Sequence, residues 1–180
     1  MRIINVSYII VVTTLLTFTH CIGQEKTNNI SCNEYERISF NGATIKQLNA
    51  SEGVPQKVQQ VLGSYSTMEE SDTFWKRTFK YGDNSILFNY ERGNVNGHVT
   101  NLTIINYQWP VKIKGHTIRV GDSVADLKQA FGYDLIVVDS QFSSKKYVFF
   151  GCENTGSEGV NILIDPNTNK VIEISYTVFT

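Results

Sequence analysis

The chain has 180 residues, with 16 Lys and Arg against 17 Asp and Glu and a formal net charge of −1. So even a balance supplies no basic stripe to neutralise phosphates, which argues against nucleic acid as a partner. Three cysteines and three histidines, with no Cys-x-x-Cys or His-rich cluster, leave a zinc site or other metal site without support.

Met1 and Arg2 precede an uncharged, largely apolar run from Tyr8 to Phe18, followed by Thr19-His20-Cys21-Ile22-Gly23-Gln24. This is the pattern of a secretory signal peptide over residues 1–23, with Cys21 and Gly23 as the small residues before the cut. The run falls short of the about 20 apolar residues that a membrane span needs, and Thr13, Thr14 and Thr17 break it, so no stable span is expected. A second reading makes Cys21 the lipid-bearing first residue of a bacterial lipoprotein, although His20 stands where Gly, Ala or Ser is usual.

Without the signal about 157 residues remain, enough for one domain or for two small ones that share an interface. Residues 24–37 form an N-terminal segment that carries Cys32. With Cys152 it makes an even pair, and in an exported protein such a pair predicts a disulfide; the alternative is two free thiols. The bridge would close a loop of about 120 residues and contribute on the order of 4 kcal/mol by constraining the unfolded chain.

Beyond this segment the landmarks of residues 38–108 recur in the same order in residues 109–180, which predicts two tandem repeats. Phe40-Asn-Gly-Ala-Thr-Ile45 matches Ile113-Lys-Gly-His-Thr-Ile118, and Gly53 to Gly63 matches Gly121 to Gly132 with one gap. Both of the latter stretches read as helices. Val54, Val58, Val61 and Leu62 fall at helical spacing behind Pro55, which suits a first turn. Val124, Leu127 and Phe131 do the same, and Gly132 can take the left-handed conformation that stops a helix.

Three strand-like stretches follow each helix. In the first half they are Phe74 to Tyr81, Ser85 to Glu91 and Val99 to Tyr107; in the second, Lys146 to Phe150, Val160 to Ile164 and Val171 to Phe179. In the last, Ile172, Ile174, Tyr176 and Val178 alternate with Glu173, Ser175 and Thr177, the pattern of a sheet with one dry and one wet face. The expected fold class is α+β: two tandem repeats, each a helix packed on its own antiparallel sheet.

The Val-Gly-Asp-Ser-x-x-Asp-Leu-Lys-x-x-Phe-Gly stretch from Val120 to Gly132, the strand-helix-strands order and the two copies resemble the β-lactamase inhibitory protein-like family. Small outer-membrane lipoproteins of the SmpA/OmlA type resemble a single copy. The resemblance covers most of the chain after the signal, but its motif is short. It implies helices layered on a curved antiparallel sheet that serves binding rather than catalysis, with a concave sheet face and loops presented to another protein.

Gly121-Asp122-Ser123 also opens a signature of some serine esterases. A nucleophile needs a histidine base with an acidic partner. After the signal only His98 and His116 remain, one in a Gly/Asn loop and one in a strand-like lead-in. Ser123 instead fits a helix cap, its hydroxyl accepting from the Asp126 N–H while Asp126 reaches back. Glu69, Glu70 and Asp72 read as a solvated connection rather than paired catalytic carboxylates. Asp165-Pro-Asn-Thr-Asn169 lacks the spaced acids of a calcium loop and reads as a turn. Gly93, Gly97, Gly151, Gly156 and Gly159 stand between strands, the wrong setting for cradling a phosphate. No catalytic residue and no cofactor is expected.

Aromatic residues are the strongest sign of a binding surface, because rings with polar edges anchor interfaces. The candidate partner-binding residues are Trp75, Arg77, Tyr81, Asn94, His98, Tyr107 and Trp109. Phe79 and one of the tryptophans are expected in the core. Together these observations predict an exported, non-enzymatic protein-binding module, periplasmic or secreted, acting on an enzyme or toxin as inhibitor or immunity factor. The alternative is an envelope assembly protein at the outer membrane, which a lipid anchor on Cys21 would favour.

Overall fold

The computed structural model describes residues 28–71, 75–91, 94, 96–140, 143–152 and 158–178. The predicted signal segment and Cys21 lie outside the described residues, as do Asp72, Phe74, Gly93, Gly156 and Phe179.

In chain order, β1 (Asn28–Asn29) leads into α1 (Cys32–Tyr35), a single turn capped by Ser31, whose hydroxyl accepts from the Glu34 N–H at 3.3 Å. Then β2 (Ser39–Phe40) and β3 (Ala43–Thr44) close a hairpin over Asn41 and Gly42, at φ 50° and 88°. Positive φ at both central residues is the tight turn that matches strand twist, which is why Asn-Gly stands there. Thr44 caps α2 (Ile45–Ala50) through Gln47, and Pro55 opens α3 (Pro55–Leu62). Four strands follow: β4 (Thr67–Ser71), β5 (Lys76–Tyr81), β6 (Asn84–Tyr90) and β7 (Gly97–Ile104). The second half brings β8 (Val111–Ile113) and β9 (His116–Ile118), α4 (Val124–Phe131), then β10 (Val138–Asp139), β11 (Lys146–Gly151), β12 (Glu158–Asp165) and β13 (Lys170–Val178).

The expected fold class is corrected here. Strand far outweighs helix, and the chain forms one large mixed sheet with a few short helices rather than two helix-on-sheet repeats. Its strand order is β1-β11-β12-β13-β7-β6-β5-β4, with β10 also paired to β11. The two halves meet at β7 and β13, where Ile104 faces Ile174 and Asn101 faces Thr177. The physical reason is the cost of a sheet edge: two separate sheets would leave β7 and β13 each with a row of unpaired N–H and C=O groups. A second sheet of four short strands, β3-β2-β8-β9, joins the two hairpins across the halves as well.

One face of the large sheet carries the core. Phe79, Ile86, Phe88, Leu102, Ile104, Ile162, Ile164, Val148 and Ile174 are fully buried there. Against them α2, α3 and α4 each set one buried side chain, Leu48, Val58 and Leu127, while the small sheet adds Phe40, Val111 and Ile113. The alternation read in β13 holds for Ile174 and Tyr176, but a bulge opposite Leu163 and Ile164 turns Val171 inward in place of Ile172. One extra residue shifts the pleat by one, so the dry set changes parity at the bulge.

Cys32 and Cys152 form the predicted disulfide, with 5.1 Å between their Cα atoms across a sequence separation of 120. It fastens α1 to the end of β11, beside the backbone bond from the Ile30 N–H to the Gly151 carbonyl at 3.0 Å. Bonds of this kind form and persist mainly in oxidising compartments.

Candidate functional site

The site is built by the residues that alternate with the core set. In register across seven strands, Thr67, Lys80, Ser85, Thr103, Ser175, Asn161 and Phe149 stand side by side. With strands about 4.8 Å apart, that row is about 29 Å wide. The next row is Glu69, Thr78, Leu87, Asn101, Thr177 and Gly159. In the centre the side chains order one another: Thr103 donates to the Asn101 side-chain oxygen at 2.8 Å, and the Asn101 amide donates to Thr177 at 3.3 Å. Within these two rows charge is kept to the β4–β5 side, where Lys80 pairs with Glu69 at 2.6 Å. On the β11–β12 side Phe149 lies across Gly159, where any Cβ would run into its ring. Polar threonines and asparagines in the middle with rings to one side can form hydrogen bonds and apolar contacts with a protein surface.

The residues singled out for partner binding divide into two groups at opposite ends of β5 and one isolated residue. Trp75, Arg77 and Asn94 come together around a pocket of about 170 Å³ with Tyr90 and Glu70. Arg77 is largely committed to structure: it donates to the Gly53 carbonyl at 2.6 Å and to Glu70 at 2.5 Å, and its guanidinium lies 5.0 Å from the centre of the Tyr90 ring. Gly53 sits at φ 64° against Tyr90 and Phe88, so both its backbone angle and its surroundings require glycine. Burial raises the Tyr90 phenol above its ordinary range, and Arg77 opposes that shift.

At the other end Tyr81 and Trp109 pack with their rings tilted by 52° and their centres 4.9 Å apart, and Trp109 is buried. Burial, with Tyr65 nearby, pushes the Tyr81 phenol up to about 12. Tyr107 is 65% exposed, and its carbonyl accepts from Arg119 at 3.0 Å. Arg77 and Tyr81 therefore share the core-side face of β5 with Phe79. His98 alone stands on the uncovered face, opposite Asn89 at the end of β7. The polar rows themselves lie outside the residues that the sequence singles out. Their signal was the Glu173, Ser175 and Thr177 alternation, repeated as Asn101 and Thr103 on β7.

Ser123 is a helix cap. Its hydroxyl accepts from the Asp126 N–H at 3.2 Å, and both its N–H and its hydroxyl donate to the Asp126 carboxylate, at 2.8 and 2.7 Å. These bonds, the hydroxyl's first and the N–H's second, hold the Asp126 carboxyl below the usual carboxylate range. His116 packs edge-on against Phe131, 5.6 Å between ring centres. Asp165 closes its turn by accepting from the Asn167 N–H at 3.0 Å and the Thr168 hydroxyl at 2.9 Å. Glu69 and Glu70 belong to edge strand β4 rather than to a loop. Among the described residues no helix is long and apolar enough to cross a membrane.

No protein-family model matches the chain, and no curated protein matches it. Among solved structures it is similar to an extracellular protein containing a SCP domain from Bacillus anthracis str. Ames, at 14% identity and a TM-score of 0.37. That likeness covers 70% of this chain and 43% of the other, so the chain spans less than half the length of that structure.

Proposed function

We propose that this chain is an exported, non-enzymatic protein-binding module, periplasmic or secreted, that docks its uncovered sheet face on an enzyme or toxin and restrains it. The observation that carries this reading is the pair of ordered polar rows, pinned from behind by a continuous core. Strand spacing and rise give the face roughly 750 Å², close to the about 800 Å² that each partner contributes to a stable complex. A rigid sheet also loses little freedom on binding, which favours affinity. The resemblance to inhibitory proteins points the same way, since those members use a sheet face and its loops.

The test is a photo-reactive amino acid placed at Asn101 on the face or at Gln56 on α3, followed by irradiation with the exported proteins of the native source. The expected result is one dominant 1:1 adduct from position 101 and none from position 56. An enzyme or toxin in that adduct supports restraint of its activity. An outer-membrane barrel would instead favour the envelope-assembly role. Equal adducts from both positions, or none from position 101, would contradict the docking face.

A further inference from the structure

On the opposite side of the large sheet, between α1, α2 and the start of β12, lies a half-open cavity of about 540 Å³. That is within the roughly 300 to 1,000 Å³ of small-molecule sites. Its walls are apolar: Ile38, Phe40, Ile45 and Val160, with the Cys32–Cys152 bond beside them. Its polar end is different in kind. Tyr35 is 8% exposed, and its buried hydroxyl has no hydrogen-bond partner among the described residues. Next to it the Tyr176 hydroxyl donates to Glu158 at 2.6 Å.

Burial, and the carboxylate of Glu158, raise both phenols well above their ordinary range, so they stay neutral. The Glu158 carboxyl group thus stands at the polar end of a largely apolar cavity, and among the described residues no cation lies within ion-pair distance of it. Glu36 adds a second carboxylate to the lining, against one ammonium, that of the exposed Lys46. A buried hydroxyl without a partner is costly, and one ligand group that donates to it and to the part-buried Glu158 carboxylate relieves that cost.

We propose that this cavity binds a small primary amine with an apolar body, its ammonium donating to the Glu158 carboxylate and to the Tyr35 hydroxyl oxygen. An anion meets repulsion from Glu158 and Glu36. A hydrocarbon leaves Tyr35 unpaired, and an alcohol leaves the charge of Glu158 unanswered. The ammonium has three donors and a positive charge, and it answers both.

The test compares hexylamine, hexan-1-ol and hexanoate at one ionic strength, with binding read from amide chemical shifts of the full folded protein. Hexylamine is expected to bind with a Kd on the order of 1 mM, as suits seven non-hydrogen atoms. It should bind at least about tenfold more tightly than the other two, with shifts confined to the surroundings of Tyr35, Ile45 and Val160. Glu158→Gln should weaken hexylamine by about tenfold or more, and Tyr35→Phe by about fivefold. Hexanoate or hexanol binding as tightly as hexylamine, shifts centred elsewhere, or an unweakened Glu158→Gln variant would overturn the proposal. If Glu158→Gln does not fold, the ranking of the three probes on the unaltered protein decides.

Discussion

Replacing Cys32 and Cys152 together with alanine is expected to lower stability by on the order of 4 kcal/mol, the entropy that closing a loop of this length removes from the unfolded chain. For a protein of this size the loss corresponds to a fall in Tm of roughly 8 to 16 °C. The bond acts on a segment that has little strand pairing of its own. β1 contributes only two residues of parallel pairing to β11, and the Asn28 side chain adds bonds to the carbonyls of Ile136 and Phe149, at 3.0 and 3.2 Å. Thermal unfolding with and without reductant measures the effect directly. A double variant melting within about 2 °C of the original would show that the bridge does not restrain the unfolded chain.

The second large effect is expected at Phe79. Its ring is fully buried, 5.1 Å from Tyr65 and 5.7 Å from Phe88, both edge-on. Phe79→Ala removes those contacts and leaves a cavity, costing about 3 to 5 kcal/mol. Trp75, four residues earlier, is 39% exposed in the turn before β5. Trp75→Ala should cost clearly less than Phe79→Ala, about 1 kcal/mol, because its ring is only partly covered and leaves no closed cavity. Denaturant midpoints of the two variants give the comparison. Equal losses would mean that the Trp75 ring is also part of the core and is not free to meet a partner.

What could be read in advance had local causes. The helix from Val124 to Phe131 announces itself by a capping residue, a three-four spacing and a terminal glycine, all within ten residues. The turn from Asp165 to Asn169 needs only its own side chains. The Cys32–Cys152 bond followed from counting thiols in an exported chain. By the same local logic α1 and α2 are legible: Ser31 with Glu34, and Thr44 with Gln47, are capping boxes in plain sequence. The Asn41-Gly42 and Lys114-Gly115 turns are local signals of the same kind, each closing a hairpin.

The seam is another matter. Nothing near Asn101 or Thr177 in the chain says that β7 lies beside β13, because backbone groups do the pairing and every residue carries those. The same blindness hid the uncovered face. Large aromatic residues drew attention to β5, yet parity places Arg77 and Tyr81 with Phe79 on the side that faces the core. The face that remains open is made of small threonines, serines and asparagines whose meaning depends on which strands are neighbours. The unpaired hydroxyl of Tyr35 was equally out of reach, since it depends on Glu158 and Tyr176, more than 120 positions away.

Everything here turns on one sheet running through both halves, since two separate sheets would offer neither a continuous face nor a common core. Amide hydrogen exchange across the seam tests this most directly. Amides of residues 101–104 and 174–177 should exchange together and at the slowest rate in the protein, released only by global unfolding. Fast exchange along either stretch while the remainder of its own half stays protected would contradict the account.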